Sequence, residues 1–224
     1  MEFQDVVRRR RMVRRFTDGP VPPQAVERML RNAVRAPNAG FTQGWAFVVL
    51  DTPDGVARFW SATSPRAGVG AEGEARENRW LTGMRTAPVI VVVLTSREAY
   101  LRRYAEDDKA RAAAQAAGEG DSPWDVPYWH VDAGMASLLM LQTAVDEGLG
   151  ACFFGVPPGQ VGALREAFGV PDEFLVTGVV AVGHAADLAP REGARGPAGA
   201  APSGGSPTRR PRRPLEDVVH RGGW

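Results

Sequence analysis

The sequence predicts one full-sized domain of mixed helices and strands packed around a buried sheet. Three observations predict it. Val89 to Leu94 is a β-branched run of the kind found in a strand covered on both faces. Ala133 to Val145 is apolar nearly all round, through Met135, Leu138, Leu139, Met140, Leu141, Ala144 and Val145, so a helix there is buried on every side, in the core or at a subunit interface. The chain of 224 residues, 44% hydrophobic and 24% charged, has the size and balance of a globular domain with a sizeable core.

The elements follow in order. Residues 3–11 make a short helix, broken by Thr17-Asp18-Gly19-Pro20. A second helix starts at Pro22-Pro23, where proline suits a first turn, and its residues Val26, Met29, Leu30, Ala33 and Val34 form one buried face. After Pro37, the loop Asn38-Ala39-Gly40 leads to a strand over Trp45 to Leu50. Residues 54–62 and 73–85 are expected to be helical. The stretch 106–128 is acidic and without regular period, which suits a lid or binding loop. Gly148 caps the apolar helix, and a strand at Ala151 to Phe154, a helix over 158–168 and a strand over Leu175 to Val182 complete the domain. Residues 190–207, rich in Gly, Ala, Pro and Ser, read as a flexible linker between a domain at 1–189 and an arm at 208–224. The arm carries Leu215, Val218, Val219 and Trp224, apolar residues that favour docking onto a folded body.

Composition excludes several classes. The longest apolar run, Ala87 to Leu94, is far shorter than the roughly 20 residues that span a bilayer. No apolar stretch follows Arg8 to Arg11, so the start is not a secretory signal and a cytoplasmic location is expected. A lone Cys152 forms no internal disulfide and no cysteine-based metal site, and it reads as a small core residue. The net charge of +1 is unevenly spread: residues 1–16 carry +4, residues 190–224 carry +4, and the middle carries −7. Two basic ends on an acidic body fit nucleic-acid contacts, a solvated basic face, or one polyanion site to which both ends fold.

Some motifs fail on context. Gly68-Val69-Gly70-Ala71-Glu72-Gly73 matches a dinucleotide fingerprint but follows Thr63-Ser64-Pro65 instead of a strand. His130 and Asp132 lack metal-ligand spacing, so no metal is expected; Asp132 reads as the cap of the apolar helix, with His130 in the loop before it. A nucleophile elbow and a Walker loop are both missing.

Four separated pieces make one ordered pattern: Arg10-Arg11-Met12-Val13-Arg14-Arg15-Phe16, Ala36-Pro37-Asn38-Ala39-Gly40-Phe41-Thr42-Gln43-Gly44-Trp45, Gly148-Leu149-Gly150-Ala151-Cys152-Phe153-Phe154-Gly155, and Arg210-Pro211-Arg212-Arg213-Pro214-Leu215. Together they resemble the nitroreductase family of flavin enzymes, over nearly the whole chain except the 190–207 insert. The resemblance implies an α+β three-layer sandwich with a mixed, mostly antiparallel sheet and flanking helices, and an intertwined homodimer with FMN at the subunit interface. A phosphate monoester is matched bidentately by guanidinium groups. Arg10 and Arg14 lie four apart, so a helical turn would bring them to one side. By the resemblance, Arg10, Arg11, Met12 and Arg14 at one end and Arg210 and Arg212 at the other bind FMN, with Arg10, Arg14, Arg210 and Arg212 on its phosphate. Pro37, Asn38, Ala39, Gly40 and Gln43 contact the ring and ribityl chain, and Phe153, Phe154, Gly155 and Val156 line the ring with backbone groups.

The sequence departs from the family pattern at Met12 and Asn38, where serines are common, and at Phe41, often asparagine. The implied activity is an FMN-dependent NAD(P)H oxidoreductase that reduces nitroaromatic, quinone or similar electron-poor compounds by a ping-pong transfer through flavin, with no catalytic protein acid or base. Phe41, Trp124, Tyr128 and Trp129 would hold flat aromatic substrates, and the acidic lid would disfavour anionic ones. Two alternatives stand beside it: a dehydrogenase or flavin-consuming member of the same fold, and a nucleic-acid-binding module using the basic ends, against which the acidic middle argues. No nucleic-acid or membrane partner is expected.

Overall fold

The β-branched run forms β2 (Val89–Thr95), and all seven of its residues are buried. In a computed structural model, which describes residues 1–64, 79–109, 125–186 and 212–224, β2 lies between β1 (Trp45–Leu50) and β4 (Leu175–Gly183), with β3 (Gly150–Phe154) outermost on the β4 side. All three pairings are antiparallel. The register shifts between Val93 and Leu94, so Thr177 is an extra residue on β4, a bulge. An isolated parallel bridge between Met12 and Ala151 lays a short piece of chain along the outer edge of β3.

Alternation along the strands sends side chains to two cores. Val89, Val91, Val93, Val180 and Val182 pack against α2 (Pro23–Ala33) and α6 (Tyr128–Asp146) on one face. Ile90, Val92, Leu94, Val179 and Ala181 pack on the other against α3 (Pro53–Thr63) and α7 (Pro158–Phe168). The result is helix, sheet, helix: the α+β sandwich expected. Shorter helices are α1 (Phe3–Arg9), α4 (Arg79–Met84) and α5 (Arg97–Tyr104). Thr52 and Ser96 cap α3 and α5 by accepting from Gly55 N and Ala99 N at 3.2 and 3.1 Å, and Gly169, at φ 60, ends α7.

Several sequence expectations are corrected. The first helix stops at Arg9 rather than residue 11. The apolar helix begins at Tyr128, a turn earlier than expected, so Asp132 is not its cap and His130 is not in a loop. Its partners come from distant elements, which local sequence does not reveal. Within the single chain this helix is not covered all round: Val131 is 42% and Leu138 45% exposed, which leaves them available to a subunit interface. Helix α5 was not anticipated, and residues 107–109 of the supposed irregular stretch have helical backbone. Gly68 to Gly73, Trp124, the 190–207 linker and Arg210 lie outside the described residues.

The described residues fall into two units, one within 1–188 and one within 189–224. In the second, Leu215–Asp217 form a 3-10 turn, Arg213 Nη2 donates to Asp217 O at 2.6 Å, and the rings of His220 and Trp224 lie 4.1 Å apart. Among the described residues, no helix is long and apolar enough to cross a membrane.

Candidate functional site

The N-terminal arginines are placed by the outer edge of β3. The backbone leaves the helix at Arg10 (φ −58, ψ 120), and Val13 N then donates to Ala151 O at 2.9 Å. The helical turn expected to bring Arg10 and Arg14 together is therefore replaced by extended chain. Gly150 permits the approach, since a Cβ there would sit 2.8 Å from Val13 Cγ2. Gly83 of α4 packs directly on the carbonyl of Arg14. Two glycines thus fix the backbone that carries Arg14.

Arg10 and Arg14 are half-buried. Other arginines pair with carboxylates, among them Arg8 with Asp5, Arg28 with Glu147 and Arg165 with Asp172. Among the described residues, neither Arg10 nor Arg14 makes an ion pair. Half-buried guanidinium groups without a counter-ion are the donor set that an anion such as a phosphate requires. Burial pushes the Cys152 thiol pKa up, and the Arg14 charge opposes that shift. Met12 Sδ accepts from Phe153 N at 3.4 Å, so the thioether occupies an amide of β3.

The second group is the loop after α2. Gly40, Phe41 and Gln43 have φ of 64, 55 and 53°, and the two non-glycine residues carry strain of about 1–2 kcal/mol each. Bonds from inside and outside the loop hold this shape. Asn38 Oδ1 accepts from Gln43 N at 2.8 Å, and Thr42 Oγ1 donates to Ala39 O at 2.6 Å. Ala39 N donates to Asp132 Oδ2 at 2.7 Å, and Arg103 Nε donates to Gly40 O at 2.8 Å. Arg103 also grips Asp108 through both terminal nitrogens and contacts Glu106, and that bonding draws the Asp108 pKa down. A Cβ on Gly40 would lie 2.7 Å from Tyr104 Cε2, so a larger residue would have to displace that ring as well as hold a positive φ.

The β3 end divides between the two faces. Phe153 joins the first core, whereas the Phe154 ring stacks on Trp60 at 5.9 Å in the second, leaving only its backbone for the first face. Gly155 opens on free space, and Val156 packs with the second core. Of the residues expected to meet substrate, Phe41 is 74% exposed and Tyr128 is 36% exposed. Trp129 is 9% exposed, edge-on to Tyr100 and beneath Arg97, so its ring is part of the packing. His130 Nδ1 lies 3.0 Å from the hydroxyl of the bulge residue Thr177, and burial pulls its pKa down. Among the described residues, no hydrogen bond joins the arginine group to the loop group, and no cluster of ligand side chains suits a metal.

A family model described as the Nitroreductase family matches residues 7–184. The chain belongs to the nitroreductase family. An Archaeoglobus fulgidus protein named as a candidate NADH dehydrogenase/NAD(P)H nitroreductase is 25% identical over 180 residues, 80% of this chain and 82% of its own. A Desulfovibrio desulfuricans structure, titled as a candidate nitroreductase in complex with FMN, superposes with a TM-score of 0.64 at 24% identity, covering 100% of this chain and 98% of that one. A nitroreductase family protein from Streptococcus pneumoniae gives a TM-score of 0.66 at 18% identity, covering 98% and 100%. The last two establish the fold.

Sequence reasoning missed Tyr100, Arg103 and the true place of Asp132. The one available signal was Asp132 itself, a carboxylate within an otherwise apolar helix.

Proposed function

We propose that this nitroreductase-family protein is an FMN-dependent NAD(P)H oxidoreductase that reduces nitroaromatic, quinone or similar electron-poor compounds. The observation that carries the reading is the pair of half-buried guanidinium groups, Arg10 and Arg14, that lack a carboxylate partner among the described residues. The residues present fit FMN: cationic donors for its phosphate, a constrained loop at 37–43, and open space at Gly155 beside a β-edge. The FMN in the Desulfovibrio structure and the NAD(P)H in the name of the Archaeoglobus relative support the same cofactors here.

FMN, when bound, supplies the electron transfer between nicotinamide and acceptor. The chain's part is to bind and orient. Arg10 and Arg14 hold the phosphate, joined by Arg11 and the Met12 backbone. Pro37, Asn38, Ala39, Gly40 and Gln43 present one wall to the ring, and the backbone from Phe153 to Val156 presents the other. Phe41 and Tyr128, with Trp124, shape the substrate side, whereas the Trp129 ring belongs to the packing beneath it. The exposed apolar residues Phe3, Val7, Val131 and Leu138 on α1 and α6 supply a homodimer contact.

The test is the visible absorption spectrum after FMN addition and desalting, followed by anaerobic titration with NADH and NADPH. Retained flavin bands that bleach with a nicotinamide and return with a quinone or nitroaromatic are expected. A colourless protein overturns the reading.

A further inference from the structure

We propose that Asp132 is a positioning residue for the 38–43 loop, and that the fit of this loop to a flavin ring depends on one oxygen of that carboxylate. The inference rests on the flavin reading above. Asp132 is 2% exposed on the sheet-facing side of α6, between core residues on the same helix such as Trp129, Ala133 and Ala136. A carboxylate in such surroundings persists only where donors replace the water it loses. Both donors found here are neutral and meet the same atom: Ala39 N and the Tyr100 hydroxyl each lie 2.7 Å from Oδ2. Tyr100 is fully buried and beside Gly44, where a Cβ would lie 3.0 Å from Tyr100 Cδ2. One oxygen therefore ties both Ala39 and a tyrosine wedged at the end of the loop to the central helix of the domain.

The tie falls where the loop needs it. Ala39 directly precedes the left-handed run of Gly40 and Phe41, and Arg103 holds the next carbonyl, Gly40 O. The loop is thus anchored from outside at two successive residues, by a helix under it and a helix beside it. Backbone held in a sparsely populated conformation lasts only when its surroundings over-determine it, and such strain collects at binding sites. Of the two bonds that meet this oxygen, one comes from the strained segment and the other from the tyrosine packed at its end, and neither comes from α6 itself, which marks Asp132 as serving the loop rather than the helix.

Because both bonds meet one oxygen, Asp132→Asn can keep them through its amide carbonyl, whereas Asp132→Ala removes both. In ligand-free Asp132→Ala, the amides of residues 39–43 are expected to exchange hydrogen about tenfold or more faster, and FMN and riboflavin should both bind about tenfold more weakly with their affinity ratio unchanged. Asp132→Asn should stay near wild type in both readouts. If Asp132→Ala does not fold, Ala39→Pro deletes the donor instead: Asn38 is extended (φ −150, ψ 145), as a residue before proline must be, and amides 40–43 should then exchange faster. Unchanged exchange in the folded variant, or equal losses in the Asn and Ala variants, overturns the proposal. A wild-type protein that takes up neither flavin overturns the flavin reading alone, since the exchange comparison still decides the role of Asp132 in the loop.

Discussion

The tip of the Phe153 ring lies against Gly178: a Cβ at Gly178 would fall 2.6 Å from Phe153 Cε2 and closer still to Cζ. Neighbouring strands bring the two together, with Phe153 paired to Val180 and Gly178 beside the Thr177 bulge. Gly178→Ala is expected to push Phe153 out of place and destabilise the fold by about 1–3 kcal/mol, which lowers Tm by roughly 2–10 °C. Gly162→Ala is the contrasting control, because an exposed helical glycine with nothing within 4 Å should gain about 0.5–1 kcal/mol from the same methyl group. Thermal melts of the two variants check the contrast, and equal Tm values would contradict it.

Tyr100 should make stability sensitive to alkali. Burial, and then the hydrogen bond to Asp132, raise its pKa well above the usual tyrosine value. A group whose folded pKa is raised contributes stability that is complete below its unfolded pKa of about 10 and is lost as pH climbs beyond it. The slope this one group adds is at most about 1.4 kcal/mol per pH unit. Melts between pH 9 and about 11.5 should therefore fall more steeply for wild type than for Tyr100→Phe, which has no proton to lose there. Parallel curves would remove Tyr100 as the cause.

The arginine pair and the loop predict different ligand fingerprints. Arg10→Ala and Arg14→Ala should each weaken FMN binding by roughly 10–100-fold, the worth of a hydrogen bond between charged groups. Riboflavin, which lacks the phosphate, should bind both variants as it binds wild type. Fluorescence titrations with the two flavins at several salt concentrations test this, and the FMN affinity of the variants should also respond less to salt. Equal losses for FMN and riboflavin would move the arginines away from the phosphate.

How much of this was legible in the sequence depends on how local each cause is. Strand β2 declared itself because seven consecutive buried residues need no partner information to be read as apolar and β-branched. Helix α7, with Pro158 at its start and Gly169 at its end, followed from local rules alone. Asp132 did not, because an aspartate near the start of an apolar run looks like a cap unless the bonds to Ala39 and Tyr100 are known. Their sequence separations are 93 and 32 residues. Arg10 and Arg14 stood out by their spacing of four, yet the expected helical turn gave way to chain paired with Ala151, a contact with the distant edge of the sheet. Helix α5 stayed hidden because its charged sequence lacks a continuous apolar stripe, and Tyr100 alone is buried.

Phe41 joins backbone strain to an exposed ring, so one substitution can separate its two effects. Its φ of 55° is unfavourable for any side chain with a Cβ, and its ring is 74% exposed, so the ring contributes little to the core. Phe41→Gly relieves the strain and restores chain entropy to the unfolded state, and the two terms, each about 1 kcal/mol, nearly cancel. The ligand-free variant is therefore expected to melt within a few degrees of wild type. Phe41→Ala keeps the strain without the ring and should be the less stable of the two. If the ring stacks on flat acceptors, both variants should raise KM several-fold for a nitroaromatic or a naphthoquinone, since aromatic stacking is worth about 0.5–1.5 kcal/mol. KM for a small non-aromatic acceptor should be unchanged. Steady-state kinetics with the two acceptor classes read this directly, and a uniform rise in KM would place Phe41 in maintaining the loop instead of selecting the substrate.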